Sequence, residues 1–253
     1  MKSRFLLVLV FLFAFTASLS FAQARHIPKH GPATVLFDGH DLSAFNTFLP
    51  STGLNSDPAH VFTVERDAVH VSGKETGYFI TKQEFKNYYL RLQFKWGEGT
   101  YGDRHGMARD AGILFNVVGP DKVWPRSMEF QICEGSTGDF WLVDGAAITP
   151  IGPDGKPRAR VQGPVNNAIN SDRFHKSPFK NVVGWRDPAN ELERTHGAWN
   201  TLEMINRDGH VWLYVNGKLA NEGTDATPAG GRILFQSEGA EVFYREIKLY
   251  PLK

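Results

Sequence analysis

The sequence predicts an all-β protein, a single antiparallel β-sandwich with long loops. Three observations lead there. Runs of alternating apolar and polar residues recur from end to end, and a period of two marks a strand with one buried face. Twenty-five Gly and fourteen Pro among 253 residues supply the turns that many short strands need. Helical patterns are scarce.

The chain opens differently. Met1–Arg4 is basic, Phe5–Phe15 is an unbroken apolar run, and Ala22-Gln23-Ala24 offers small residues for cleavage. This is the layout of a secretory signal peptide over residues 1–24, so a periplasmic or extracellular protein is expected, with Arg25–Lys253 as one mature domain. An uncleaved anchor is the alternative, since residues 5–24 carry no charge. Without Lys2 and Arg4, the 28 basic residues fall to 26 against 27 acidic ones. That balance argues against a nucleic-acid partner or an acidic membrane surface, because no basic excess is available to neutralise phosphates. No second long apolar run follows, so no membrane partner is expected after cleavage.

The strands follow in order. Val61–Glu65 and Val69–Ser72 flank Arg66-Asp67-Ala68 as a hairpin. Tyr88–Trp96 puts Tyr88, Leu90, Leu92, Phe94 and Trp96 on one face, with Tyr89, Arg91, Gln93 and Lys95 on the other. Ala111–Val118 is a nearly continuous apolar strand. Met128–Cys133 sets Met128, Phe130 and Ile132 opposite Glu129 and Gln131. Residues 144–184 are the least regular stretch, rich in proline, and a long loop of this kind is usually functional. Pro188–Arg194 could form a turn or two of helix with Asp187 as its cap. Thr201–Asn206 and Val211–Val215 form the next hairpin, and Asn216-Gly217 is a favoured turn into Lys218–Glu222. Arg232–Ser237 and Val242–Tyr250 close the chain around Glu238-Gly239.

Polar side chains on neighbouring strands can line a groove. Arg91, Gln93 and Lys95 offer one such row and Glu129 with Gln131 another, although plain solvent-facing alternation would read the same. Trp124 precedes the second row, Glu134 ends it and Trp141 follows it. Aromatics beside carboxylates and amides suit a sugar, which joins apolar C–H faces to hydroxyls. The two tryptophans could equally be core anchors. Asp110 stands at the mouth of an apolar strand, and Asn116 lies inside it as either a structural clip or a ligand contact. Arg245 shares parity with Phe243 and Ile247, so it is expected to point inward and to pair with Glu238 or Glu203.

Several chemistries are excluded. The lone Cys133 rules out an intrachain disulfide or a multi-cysteine metal site. There is no G-x-S-x-G elbow, H-E-x-x-H, phosphate loop or dinucleotide fingerprint. The tandem acids of E-x-D-x-E glucanases are absent, since the strand reads Glu129-Phe130-Gln131-Ile132-Cys133-Glu134.

Six segments stand in a telling order: LFDGHDL at 36–42, RDAGILFNV at 109–117, MEFQICEG at 128–135, GAWNTLEMI at 197–205, VNGK at 215–218 and ILFQSEGAEVFYREIKLYPL at 233–252. Together they resemble the 3-keto-disaccharide hydrolase domain family, also described as a 3-keto-glucoside 1,2-lyase and 3-keto-2-hydroxy-glucal hydratase domain. The resemblance spans about Thr34–Leu252. It implies a concanavalin-like jelly roll and an exported enzyme that cleaves 3-keto-glycosides by elimination across carbons 1 and 2, followed by hydration. The family's E-[YF]-Q-[IL]-x-[DE] strand falls on Glu129 to Glu134. Two departures are Asp110, where an amide is usual, and Asn116, where an Arg is usual; losing that guanidinium changes which carbonyl or charge the groove can hold.

With the resemblance, Glu129 is expected to serve as base or metal ligand and Lys95 to stabilise developing charge. Gln131, Glu134 and Asp110 would position the sugar, with Asn116 and Glu238 as further contacts and Trp124 and Trp141 as walls. A divalent ion such as calcium could be held by such carboxylates and amides, and the sequence assigns none. Two other readings remain: a non-catalytic, lectin-like glycan-binding module, and an ordinary retaining glycosidase. The lectin reading predicts a shallow platform with no enclosed acid. The enzyme predicts Glu129 in a cleft with Lys95 nearby.

Overall fold

The structure is a computed structural model that describes residues 27–163, 167–169 and 177–253. The candidate signal segment 1–24 lies outside the described residues. Two antiparallel sheets make up the fold. The ten-stranded sheet runs Val161–Gln162, Ala147–Pro150, Lys218–Thr227, His210–Val215, Asn200–Arg207, Tyr88–Thr100, Ala240–Pro251, Ala68–Val71 and Phe62–Glu65, with Thr34–Phe37 also on Ala240–Pro251. The eight-stranded sheet runs Asn167–Ile169, Phe140–Val143, Arg126–Cys133, Asp110–Val118, Arg232–Ser237, Gly77–Thr81, Phe45–Leu49 and Gly53–Leu54. Neighbours far apart in sequence make this a jelly-roll sandwich of the concanavalin-like kind. Among the described residues the sole helix is a single 3₁₀ turn at Gly102–Arg104, and no helix is long and apolar enough to cross a membrane.

The alternation decides which side chains meet. Leu90, Leu92, Phe94 and Trp96 point inward from one sheet; Met128, Phe130 and Ile132 point inward from the other, and all join one buried core. Cross-strand neighbours Phe79 and Phe235 stack within it, ring centroids 4.6 Å apart, an arrangement worth about 1 kcal/mol beyond its area. By the same parity, Lys95 leaves the outer face of the ten-stranded sheet, whereas Glu129 and Gln131 leave the outer face of the eight-stranded one. The whole core separates them. That second outer face carries its own apolar floor of Tyr78, Ile80, Leu114 and Leu234, against which Trp124 packs.

Three expectations need correction. Asn116 does not follow the parity of Gly112 and Leu114. It adopts φ +55° at a bulge between Phe115 and Val118, and its fully buried amide donates to the Pro228 carbonyl (2.9 Å) and accepts from Asn206 Nδ2 (2.9 Å). It clips the two sheets together and contacts no groove. Arg245 points outward, because a bulge at Glu246 (φ +53°) shifts the register after it. Its Nε donates to Gln93 Oε1 at 2.7 Å, and its guanidinium lies 4.0 Å over the Trp199 ring. Residues 188–194 form turns and no helix. The Glu191 carboxylate accepts the backbone N–H of Asp187 (2.9 Å) and of Glu193 (2.8 Å), and the second is a donor that a helix would turn to the Ala189 carbonyl; Asp187 still accepts the Ala189 N–H at 2.9 Å.

Candidate functional site

A cavity of about 150 Å³ lies on the outer face of the eight-stranded sheet, lined by Trp124, Trp141, Glu129, Gln131, Asp110, Gln236, Glu238 and Arg104 among others. Paired antiparallel strands place Trp141 beside Glu129, and Gln131 beside Gly112. Gly112 leaves room there. A Cβ at this position would overlap the Glu129 carboxyl and the Gln236 amide oxygen, so both polar ends lean over a gap that the missing side chain leaves. Gln236 Oε1 is buried without a hydrogen-bond partner, an acceptor aimed where a ligand hydroxyl or a protonated carboxyl would sit.

Arg104 reaches the cavity from a loop. Tyr101 N–H donates to the Gly239 carbonyl at 2.7 Å, and the turn at Gly239 (φ +85°) packs directly on the Arg104 side chain. This contact joins the 101–104 segment to the turn bearing Glu238. Arg104 ion-pairs with Asp110 and holds Nη2 3.9 Å from Glu238 Oε1. Gln131 Nε2 donates to Asp110 Oδ1 at 2.8 Å.

Three carboxyls therefore share one guanidinium in a desolvated place. Burial pushes Asp110 up to about 6, against the pull of Arg104 and the Gln131 hydrogen bond. Burial and the Asp110 charge push Glu238 up to about 8, again opposed by Arg104. Glu129 is held well above the usual carboxylate range, first by burial and then by the charges of Glu238 and Asp110. Of the set, Asp110 therefore gives up its proton more readily than Glu238, and Glu129 is the carboxyl that its surroundings most favour in the neutral form. A proton donor and a proton acceptor then face the same small space.

The sequence-predicted residues divide clearly. Glu129, Gln131, Asp110, Trp124, Trp141 and Glu238 come together. Lys95 does not: its ammonium rests over the Trp199 and Phe243 rings, 5.1 and 4.9 Å from their centroids, on the far side of the sandwich. Asn116 does not, for the bulge described above. Glu134 also stands apart. It is buried under the loop, bonded by its carboxylate to Arg109 Nη1 (2.8 Å), Arg109 N–H (2.9 Å) and Gly184 N–H (2.8 Å), so it anchors the 177–186 segment. Arg104 and Gln236 were missed. Gln236 alternates with inward Phe235, a signal available in the strand pattern; Arg104 sits in a polar loop whose charges look solvated. Cys133 is buried and its thiol is raised by burial, which leaves no nucleophilic thiolate. Among the described residues no group of three or more His, Cys, Asp or Glu is placed to hold a metal ion.

Residues 32–250 match the 3-keto-alpha-glucoside-1,2-lyase-like domain. The chain belongs to that family. Membership gives it a carbohydrate-active role and a glycan as binding partner. Two solved structures from Parabacteroides distasonis, provisionally described as glycosyl hydrolases, are 17% identical to it. One covers 87% of this chain and 94% of its own with a TM-score of 0.55; the other covers 88% and 100% with 0.52. At that identity they support the fold alone. No curated protein sequence matches it.

Proposed function

We propose that the protein is an enzyme that cleaves 3-keto-glycosides by elimination and rehydration. The observation that carries this reading is the trio Glu129, Glu238 and Asp110 around Arg104, between two tryptophans, with Glu129 and Asp110 buried. A ketone at carbon 3 acidifies the hydrogen at carbon 2. Glu238, the less strongly raised of the two glutamates, takes that proton in its ionised form. Arg104 stabilises the enolate oxygen, the role first expected of Lys95. The enolate then collapses to the carbon 1–carbon 2 double bond as the carbon 1–oxygen bond breaks. Glu129, kept protonated by its surroundings, gives its proton to the departing oxygen; this exchanges the base role expected of it from sequence for that of the acid. Water then adds at carbon 1 and gives its proton back to the Glu129 carboxylate, while Glu238, whose side chain is 29% exposed and exchanges its proton with solvent, protonates carbon 2, so the net change is hydrolysis. No nucleophilic side chain is needed.

A lectin-like platform has no use for three crowded carboxyls, two of them buried, in which the Asp110 charge raises both glutamates. Turnover of a 3-keto-glucoside in D₂O tests the proposal. The expected product carries deuterium at carbon 2. Hydrolysis with no deuterium there would mean a glycosidase of ordinary type, and no hydrolysis at all would mean a binding module. We also propose that the enzyme works after export, on the strength of the basic, apolar and small-residue layout at 1–24. Sequencing the N-terminus of the native protein should read from Arg25.

A further inference from the structure

We infer that a second cavity, adjoining the groove, receives the leaving group, and that the leaving group it fits is a flat aromatic aglycone. The inference rests on the proposed placement of Glu129 and Glu238 about the glycosidic bond. The second cavity, about 620 Å³, shares Arg104, Asp110, Gln131 and Trp141 with the sugar-sized one, so the two are continuous. Its far wall is Pro178 and Phe179. The Phe179 ring is 49% exposed yet braced edge-on against Trp185, centroids 5.3 Å apart at 86°. Trp185 in turn fills the space over Gly135, where any Cβ would overlap it. A large apolar ring on a rigid brace, facing a cavity across from Trp141, is a wall waiting for a flat apolar partner.

A second sugar suits this space poorly. Its hydroxyls need donors and acceptors, and beyond Ser136, Asp139 and Ser177 the polar side chains of this cavity are Arg104, Gln131 and Asp110, which are bonded to one another at the sugar side. The opposite end of the groove contrasts with it. There a cavity of about 320 Å³ is lined by Lys74, Thr76, Asp103 and Glu238, a polar setting suited to sugar hydroxyls. The groove is therefore apolar on one side of Arg104 and polar on the other, and it orients the substrate with its aglycone toward Phe179.

Calorimetric titration with phenyl and methyl glucosides, both anomers of each, tests this. Neither carries the ketone, so neither is turned over. The phenyl glucoside should bind about tenfold more tightly than the methyl one, the value of one aromatic pairing. Phe179→Ala should shrink that ratio to about twofold without weakening methyl glucoside. Phe179→Leu, which keeps bulk and loses the ring, should give an intermediate ratio. Equal affinities in the wild type, binding of neither glucoside, or a ratio unmoved in both variants would overturn the inference. Failure of the proposed chemistry shows separately, as absence of turnover of methyl 3-keto-glucoside, and leaves the binding ratio intact.

Discussion

Arg104 Nη2 stands 3.9 Å from Glu238 Oε1 while the same nitrogen ion-pairs with Asp110. Nothing in local sequence links residue 104 to residue 238; the hydrogen bond from Tyr101 to Gly239 does. This guanidinium is the cation opposing the rise of all three groove carboxyls.

Removing that cation should therefore move proton equilibria as well as rate. With Glu238 as base, kcat/KM should rise as pH increases through about 8 and fall again where Glu129 loses its proton. In Arg104→Met the charged forms of both lose their attraction, so both limbs should shift to higher pH. The maximal rate should drop about 100-fold or more, the usual cost of one oxyanion-stabilising group. The pH–rate profile of the variant checks both. A lower rate with unmoved limbs would leave Arg104 as a substrate contact only.

Lys95 supplies the converse. Its ammonium lies over Trp199 and Phe243 across the core from Glu129. Lys95→Met should keep turnover within about twofold of the wild type and cost at most ~1 kcal/mol through the lost cation–aromatic contacts. Initial rates and a melting curve suffice. A loss as large as that of Arg104→Met would mean that the positive group is supplied from the other sheet.

The contrast between these two residues shows what the sequence made legible. Strand alternation correctly separated Phe94 from Lys95 and Phe130 from Glu129, because side-chain direction within a strand is a local property. Which sheet each strand joins is not local, so two polar rows on opposite faces looked like one groove. Asn116 and Arg245 failed for another reason. A single extra residue at a bulge reverses parity for everything beyond it, and nothing in Phe115-Asn116-Val117 or Arg245-Glu246-Ile247 announces one. The central strand Gly77–Thr81 carries no alternation at all, since every one of its residues is buried. The Asn216-Gly217 hairpin was readable because its residues take φ +50° and +81°, values that favour this pair.

The acid role of Glu129 can be separated from a base role by changing the leaving group. A phenol leaves as a weakly basic anion and needs little protonation, whereas methanol needs it fully. Glu129→Gln should cost about 10⁴-fold with methyl 3-keto-glucoside but only about 10-fold with a nitrophenyl 3-keto-glucoside. Equal losses on both substrates would return Glu129 to the base role and make Glu238 the donor.

Gly112→Ala places a methyl group where the Glu129 carboxyl and the Gln236 amide oxygen now meet. Both are ends of movable side chains, and Gly112 has no positive φ that an alanine would strain. The fold should therefore survive with its melting temperature changed by only a few degrees. Displacing Glu129 by even about 1 Å should cost about 100-fold in kcat. Melting curves and kcat measured on the same preparation check this, and unchanged kcat would mean that Glu129 is not held at a reacting atom.

Glu193 gives a pH dependence of stability that has nothing to do with the groove. It is buried behind the sheet, accepting from Trp96 Nε1 at 3.0 Å and from the Thr137 hydroxyl, and burial pushes it up to about 7 from an ordinary 4.5. A carboxyl raised in the folded state binds its proton more tightly there than in the unfolded chain. Its contribution is thus fully present below pH 4.5 and is lost as pH rises through about 7. The shift corresponds to at most roughly 3 kcal/mol, or about 6–12 °C for a domain of this size. Glu193→Gln keeps an acceptor for Trp96 and cannot ionise. Its melting temperature should therefore fall less than that of the wild type between pH 5 and pH 8, by several degrees. Parallel curves for the two proteins across that range would show that Glu193 is already ionised in the folded state at pH 5 and that its burial is offset by its two hydrogen bonds.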